Sequence, residues 1–283
     1  MLYTYPYLDF EQLCLLLEVS FDLKPRRSFR NRLTTLTAAR CIHTYFGAIK
    51  TQPIFSLLDR GLALHLKRRD DPPRRTTQPS HTDAERLRKH EIGLAEYLMA
   101  RSLWITEQPT AFLVTQRQLF AQSLDASVQQ RHQWPVSFRY GTELYRYHVK
   151  PDYAAGVGFA DRPDGRNVRY SITEYDTGSE TRRPDKLSEA QSALRKLLTH
   201  QATIKGAVLA DKLGIEHHTA EFVFRTPQRR DSYISLAGDV LDRGTADRFL
   251  FAVKPERPTR RSGDYFRAME WYDWKGEIVK RLY

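Results

Sequence analysis

Cysteine is nearly absent: the 283 residues contain two, Cys14 and Cys41, both in apolar surroundings. Two such residues make no disulfide framework and have no zinc-ligand spacing, so both are read as small buried hydrophobes. A chain so sparing of disulfides fits the reducing cytoplasm, which is the expected compartment. Long apolar runs are lacking too. The longest, residues 13–19, is broken by Glu18 and preceded by Glu11, far short of the ~18 apolar residues of a membrane-spanning helix. No membrane partner is expected. The first residues also lack the basic flank, apolar run and small-residue cleavage site of a secretory leader. Nucleotide-binding fingerprints are missing as well. Gly156-Val-Gly158 has no third glycine and no helix after it, and neither a P-loop nor a Gly-x-Ser-x-Gly elbow occurs. Acidic residues are in deficit, 34 Asp and Glu against 45 Lys and Arg, for a formal net charge of +11.

What is present is enough to fold. Hydrophobic residues make up 41% of the chain and aromatics 12%, which excludes wholesale disorder. The length fits two modest domains or one large one. The charge excess speaks to partners more than to fold, and its commonest partner is a phosphate backbone, so double-stranded DNA is the first expectation. Residues 1–80 hold 13 Lys and Arg against 7 Asp and Glu, a net of +6. More than half of the excess therefore lies in the first quarter of the chain.

Asp9 and Gln12 are spaced for a capping box opening a helix over about 9–19, with Phe10, Leu13, Leu16 and Leu17 on one face. A basic segment, 24–33, leads into a second helix in which Phe29, Leu33 and Leu36 form the apolar stripe. Residues 41–46 and 54–58 read as a β-hairpin. Helices followed by a hairpin predict a winged helix-turn-helix over 1–68. Residues 69–81, proline-rich and of mixed charge, are the expected linker. A mixed α/β domain is expected over 82–253. It begins with a helix from Asp83 to about Leu103. Strands follow at 134–140, 144–149, 153–159 and 168–176, with a turn at Gly165 between the last two. Then come a helix at 186–200, a short strand at 207–209 and a strand at 219–225. Residues 254–283 form a basic, aromatic extension. Its Tyr265, Phe266, Trp271, Tyr272 and Trp274 are expected to pack on the core, the alternative being to stack on unpaired bases.

Chemistry concentrates in two places. In a winged helix the second helix of the turn enters the major groove, and its outward side chains meet base edges and phosphates. The residues expected to touch DNA are Arg26, Arg27, Arg30, Asn31 and Thr34, with Lys50 and Gln52 at the wing tip; Arg and Asn are suited to bidentate contacts with guanine and adenine. An ordinary solvated basic face, or a winged helix used for protein contacts, fits the same residues. The second place is a set of carboxylates. Glu174 and Asp176 lie two apart on one strand and so share a face, and hairpin pairing brings Asp152 alongside. Clustered carboxylates repel unless neutralised, and Mg²⁺ prefers such an oxygen-only set, so Asp152, Glu174 and Asp176 are candidate metal ligands for phosphodiester chemistry. The alternative is that Glu174 and Asp176 sit at an exposed strand end, solvated or paired with Arg182 or Arg183. His90 and Glu91 are expected in the helix flanking this site, and His217-His218 in a loop.

The order of these features resembles the replication-relaxation family of plasmid and mobile-element proteins: a winged helix, a helix around Arg88-Lys-His-Glu91, Lys-Pro-Asp152, a hairpin, Ile-Thr-Glu-Tyr-Asp-Thr-Gly178 and a Lys-bearing helix. The resemblance covers about residues 9–225. Its second half is similar to the PD-(D/E)xK nuclease-like, or restriction-endonuclease-like, fold, with Pro151-Asp152 and Glu174 in the first two motif places. Where an active nuclease of that fold has Lys, this chain has Asp176. An Asp supplies no positive charge for the attacking water or the developing anion. Lys186 or Lys196, on the next helix, is the candidate replacement, so the catalytic set the resemblance implies is Asp152, Glu174, Asp176 and Lys186. It implies a DNA-binding accessory protein in replication, relaxation or mobilisation of such an element, with other replication or mobilisation proteins as partners. The alternatives are an active Mg²⁺-dependent endonuclease and a winged-helix transcriptional regulator with a non-catalytic C-terminal domain. A homodimer is left open.

Overall fold

The computed structural model describes residues 8–21, 27–39, 41–45, 54–57, 83–163, 167–178, 181–182, 192–258 and 262–279. The architecture is mixed α and β, and the chain divides into two compact units, residues 1–104 with 255–266, and 105–254 with 267–283. Among the described residues no helix is long and apolar enough to cross a membrane. The expected linker at 69–81 and the turn at Gly165 lie outside the described residues.

In the first unit, β1 (Leu8–Asp9), α1 (Phe10–Phe21), α2 (Arg27–Ala38), β2 (Ile42–Tyr45) and β3 (Ile54–Leu57) precede the long α3 (Asp83–Thr106). The three strands form an antiparallel sheet in the order β1-β3-β2, with Leu8 opposite Phe55 and Ile42 opposite Leu57. Leu13, Leu15, Leu33, Ile42, Ala95, Met99 and Leu103 make the core, with Phe10 and Phe29 packed against it. The helix expected to open the α/β domain is thus packed with the N-terminal elements, because Ala95, Met99 and Leu103 recur every four residues on the face that seals them. The apolar stripe of α2 is also narrower than expected: Leu33 is buried but Leu36 is 42% exposed. Three residues turn a helix through about 300°, which puts Leu36 about 60° off the line through Leu33.

The second unit is built on a six-stranded mixed sheet. Its elements in chain order are β4 (Ala111–Val114), α4 (Gln116–Ala121), α5 (Ala126–Arg131), β5 (Trp134–Tyr140), β6 (Glu143–Val149), β7 (Tyr153–Phe159), β8 (Val168–Asp176), α6 (Ala193–Lys205), α7 (Val208–Leu213), β9 (His218–Phe224), α8 (Pro227–Val240), α9 (Arg243–Ala246) and β10 (Phe249–Val253). After α10 (Asp264–Arg267), β11 (Trp271–Tyr272) completes the sheet, whose order is β11-β10-β9-β8-β7-β4. β4, β7 and β8 pair antiparallel, as do β10 and β11, while β8, β9 and β10 run parallel. Parallel neighbours need long crossovers, and α6 with α7, then α8 with α9, supply them. β5 and β6 form a separate two-stranded ribbon.

Local chemistry sets the boundaries. Ser192 caps α6 by accepting from the Arg195 amide (3.2 Å), and Thr226 caps α8 with Pro227 in its first turn. The expected strand at 207–209 is instead the start of α7: Leu209 and Leu213 are buried four residues apart, and Gly214, at φ +69°, ends the helix. Gly158 belongs to a packed strand, where an added Cβ would lie 2.1 Å from the Phe112 ring that crosses it. The aromatics near the C-terminus pack: Phe266 and Trp271 are buried, and the Trp274 indole donates to Asp247 (2.9 Å).

Candidate functional site

The last residues of β8 carry the site. Glu174 and Asp176 point to the same face of the sheet by the strand's period of two, and both are buried on a central strand. Two buried carboxylates so close are costly unless each is paired. The fold pairs them with different helices.

Glu174 meets α6. Its Oε2 lies 3.0 Å from Lys196 Nζ and its Oε1 lies 3.1 Å from His200 Nε2. Lys196 and His200 are four apart and so project from one side of the helix. A carboxylate only accepts, so His200 Nε2 carries the proton; its Nδ1 is buried without a hydrogen-bond partner among the described residues. The ring is held edge-on to Phe222 at 5.5 Å.

Asp176 meets α8. Arg229 donates to its Oδ2 from Nη2 (3.0 Å) and Nε (3.3 Å), the Tyr233 hydroxyl donates to the same oxygen (2.6 Å), and the Gly178 amide donates to Oδ1. The Arg229 guanidinium also lies 5.0 Å from the Tyr233 ring centroid. Of the expected surface partners, Arg182 donates to Ser235 (3.0 Å), and Arg183 lies outside the described residues.

Asp152 sits directly before β7. Tyr153 is opposite Thr173 in the β7–β8 register, so one further step puts Asp152 opposite Glu174, where antiparallel partners have Cβ atoms about 5 Å apart. Its Oδ2 accepts from the Tyr175 amide (2.8 Å), the backbone between Glu174 and Asp176. Asp152 remains half-buried, so it can meet a substrate.

Glu174 and Lys196 therefore meet, Asp152 stands opposite Glu174 in the strand register, and Asp176 is turned to α8. Lys186 lies outside the described residues, as do Arg26, Lys50 and Gln52. Arg27 opens α2, but its side chain is not among those described. Arg30, Asn31 and Thr34 are exposed on α2; the Arg30 guanidinium lies 4.7 Å from the Phe10 ring centroid, and Thr34 Oγ1 donates to the Arg30 carbonyl (3.1 Å). His90 and Glu91 lie in α3, half-buried and 3.5 Å apart. Sequence reasoning missed His200, Arg229 and Tyr233. The signal that finds them is a pair four residues apart in each crossover helix, Lys196 with His200 and Arg229 with Tyr233.

Mg²⁺ takes one or two carboxylates and keeps waters or phosphate oxygens in its other positions, and a carboxylate has about four lone-pair sites. Asp152 and Glu174 fit that role. Asp176, enclosed by Arg229, Tyr233 and Gly178, does not fit as a third ligand.

His218 is not in a loop: it opens β9 and is buried with both ring nitrogens lacking a hydrogen-bond partner among the described residues. Burial first, then the neighbouring charges of His200, Arg248 and His217, pushes its pKa down to about 3. The unfolded chain takes up a proton at His218 near the ordinary value of 6.5 that the folded chain refuses until about pH 3. This contribution to stability is complete above pH 6.5 and is lost as the pH falls, by up to about 1.4 kcal/mol per unit. His218→Leu should flatten the fall in urea midpoint between pH 7 and pH 5; an unchanged slope would contradict the assignment.

No protein-family model matches the chain, and none of the curated proteins does.

Proposed function

We propose that this chain is a DNA-binding protein whose second unit is a PD-(D/E)xK-type phosphodiester site, and that it nicks or cuts the DNA of a plasmid or other mobile element as part of its replication or relaxation. The observation that carries this reading is the ion pair of Lys196 with Glu174 at 3.0 Å, on the strand position opposite Asp152. The missing positive charge at position 176 is supplied from the next helix. The sheet agrees with that reading: Asp152 and Glu174 sit at adjoining ends of an antiparallel pair, and the strand bearing Glu174 runs parallel to the one reached through the Lys196 helix.

Hydrolysis adds one water to a phosphodiester, forming one P–O bond and breaking another, with no redox partner. A bound Mg²⁺ held by Asp152 and Glu174 would polarise the phosphate and favour hydroxide. Lys196 places a fixed cation where negative charge develops on phosphorus-bound oxygens. His200 is a positioning residue: it holds the second oxygen of Glu174 and leaves Lys196 on the first. Asp176 holds α8 to the sheet and takes no part in chemistry.

In the first unit, the exposed Arg30, Asn31 and Thr34 on α2, with the hairpin strands β2 and β3 after it, support the winged-helix reading and its groove-facing helix. Arg27→Ala and Arg30→Ala should each lower the salt slope of DNA binding by about 1; a slope unchanged in both would remove the helix from the interface. A second reading, an accessory protein that binds without cutting, draws on the fact that both oxygens of Glu174 are already held, by Lys196 and His200. Incubation with supercoiled plasmid separates the two. The endonuclease reading expects open-circular or linear product with Mg²⁺ and none with EDTA; no product under either condition leaves the accessory reading.

A further inference from the structure

The β5–β6 ribbon has one face folded against its own unit and one face turned to solvent. On the inner face the Trp134 indole donates to Thr203 Oγ1 (3.0 Å), the Arg195 guanidinium lies 4.6 Å from the Tyr147 ring centroid, and Phe138 stacks on Tyr145 at 5.8 Å. The pairings Ser137 with Arg146 and Arg139 with Leu144 define the outer face. There Arg139, Arg146 and His148 are all exposed, and Lys150 continues the alternation one step past the ribbon. No acidic residue shares this face. Glu143, the ribbon's one acid, has the opposite parity, and the Tyr145 hydroxyl donates to it.

The side chains of Arg139, Arg146, His148 and Lys150 make no hydrogen bond or ion pair with any other described residue. Arg139 and Arg146 are diagonal neighbours across the strands, about 7–8 Å apart at Cα, where like charges oppose pairing. Among the described residues no acid offsets this arrangement, which suits a polyanionic partner. Alternate residues recur every ~6.7 Å along a strand, close to two phosphate rises of B-DNA, and a two-stranded ribbon is one of the shapes the major groove admits. Beside the ribbon an open groove of about 460 Å³ is lined by Ser137, Arg146 and His148, by Val136 and Tyr147 of the inner face, and by Ala202, Gly206 and Val208, room for a sugar-phosphate unit. The basic face ends at Lys150, two residues before Asp152.

We propose that the outer face of the β5–β6 ribbon is a second double-stranded DNA-binding surface, with Arg139, Arg146 and Lys150 on backbone phosphates, which leads the duplex to Asp152, Glu174 and Lys196. The proposal rests on the reading that this chain acts on DNA. Its test compares the full-length protein with the triple variant Arg139→Ala, Arg146→Ala, Lys150→Ala. Binding to a short duplex is followed by fluorescence anisotropy over a range of KCl concentrations. Loss of three phosphate contacts lowers the slope of log K against log[KCl] by about 2.7. Circular dichroism checks that these exposed substitutions leave the fold intact, and the variant Arg139→Lys, Arg146→Lys, Lys150→Arg keeps the wild-type slope. If the wild-type protein binds DNA and the triple-alanine slope is unchanged, the ribbon proposal fails alone, and the face serves an acidic protein partner instead. If the wild-type protein binds no duplex at any salt, the DNA reading fails and this proposal with it.

Discussion

Asp176→Ala should lower the stability of the protein by about 3–5 kcal/mol, the range found when one member of a buried ion pair is removed. The carboxylate satisfies the Arg229 guanidinium, the Tyr233 hydroxyl and the Gly178 amide at once. Its loss strands a cation and a hydroxyl against the sheet, where Tyr233 is fully buried among Phe222, Phe224 and Leu236. Urea unfolding should show a lower midpoint with little change in slope. Asp176→Ala combined with Arg229→Met should recover a substantial part of the loss, because the uncompensated charge goes with it. A catalytic Asp176 would behave in the opposite way, with activity lost and stability kept.

Lys196→Met should reduce Mg²⁺-dependent nicking by about 10²–10³-fold, the size of effect seen when one preorganised electrostatic group is removed from a developing anion. Lys196→Arg should retain part of the activity, since charge survives but the compact ammonium does not. His200→Gln provides the contrast. It weakens the hold on Glu174 without touching substrate, so its loss should be smaller and should show in metal affinity as well as in rate. Single-turnover nicking over a Mg²⁺ titration separates these outcomes. A Lys196→Met protein that is folded and as active as wild type would remove Lys196 from the proposed site.

The sheet was legible where period and turn chemistry agree. The strands over 134–140, 153–159 and 168–176 begin and end where alternation and β-branched or aromatic residues place them, and the first pairing that matters, Asp152 toward Glu174, follows from the antiparallel order of two of them. The short run 207–209 was not legible, because three apolar residues satisfy a strand and a helix equally until Leu213 and Gly214 are counted in. Nor was the membership of the helix from Asp83: its Ala95, Met99 and Leu103 face suits either neighbour in the sequence, and only packing decides. At the site, sequence spacing put three carboxylates on one surface. It could not show that α6 and α8 each claim one, since Lys196 and Arg229 are 22 and 53 residues from the carboxylates they hold. Charge counting had the same limit. Counting placed more than half of the excess in residues 1–80 and did not single out Arg139, Arg146 and Lys150, whose ribbon has one acid, Glu143, on its other face.

The most direct test of the proposed site is the Asp152→Asn variant in a supercoiled-plasmid nicking assay with Mg²⁺. Asparagine keeps the shape and can still accept from the Tyr175 amide, so the fold and DNA binding should persist, while the negative charge beside Glu174 and Lys196 is gone. Wild-type protein that nicks, with Asp152→Asn protein that binds as tightly and does not nick, is the predicted result. Equal nicking by the two proteins would contradict a phosphodiester site built on Asp152, Glu174 and Lys196.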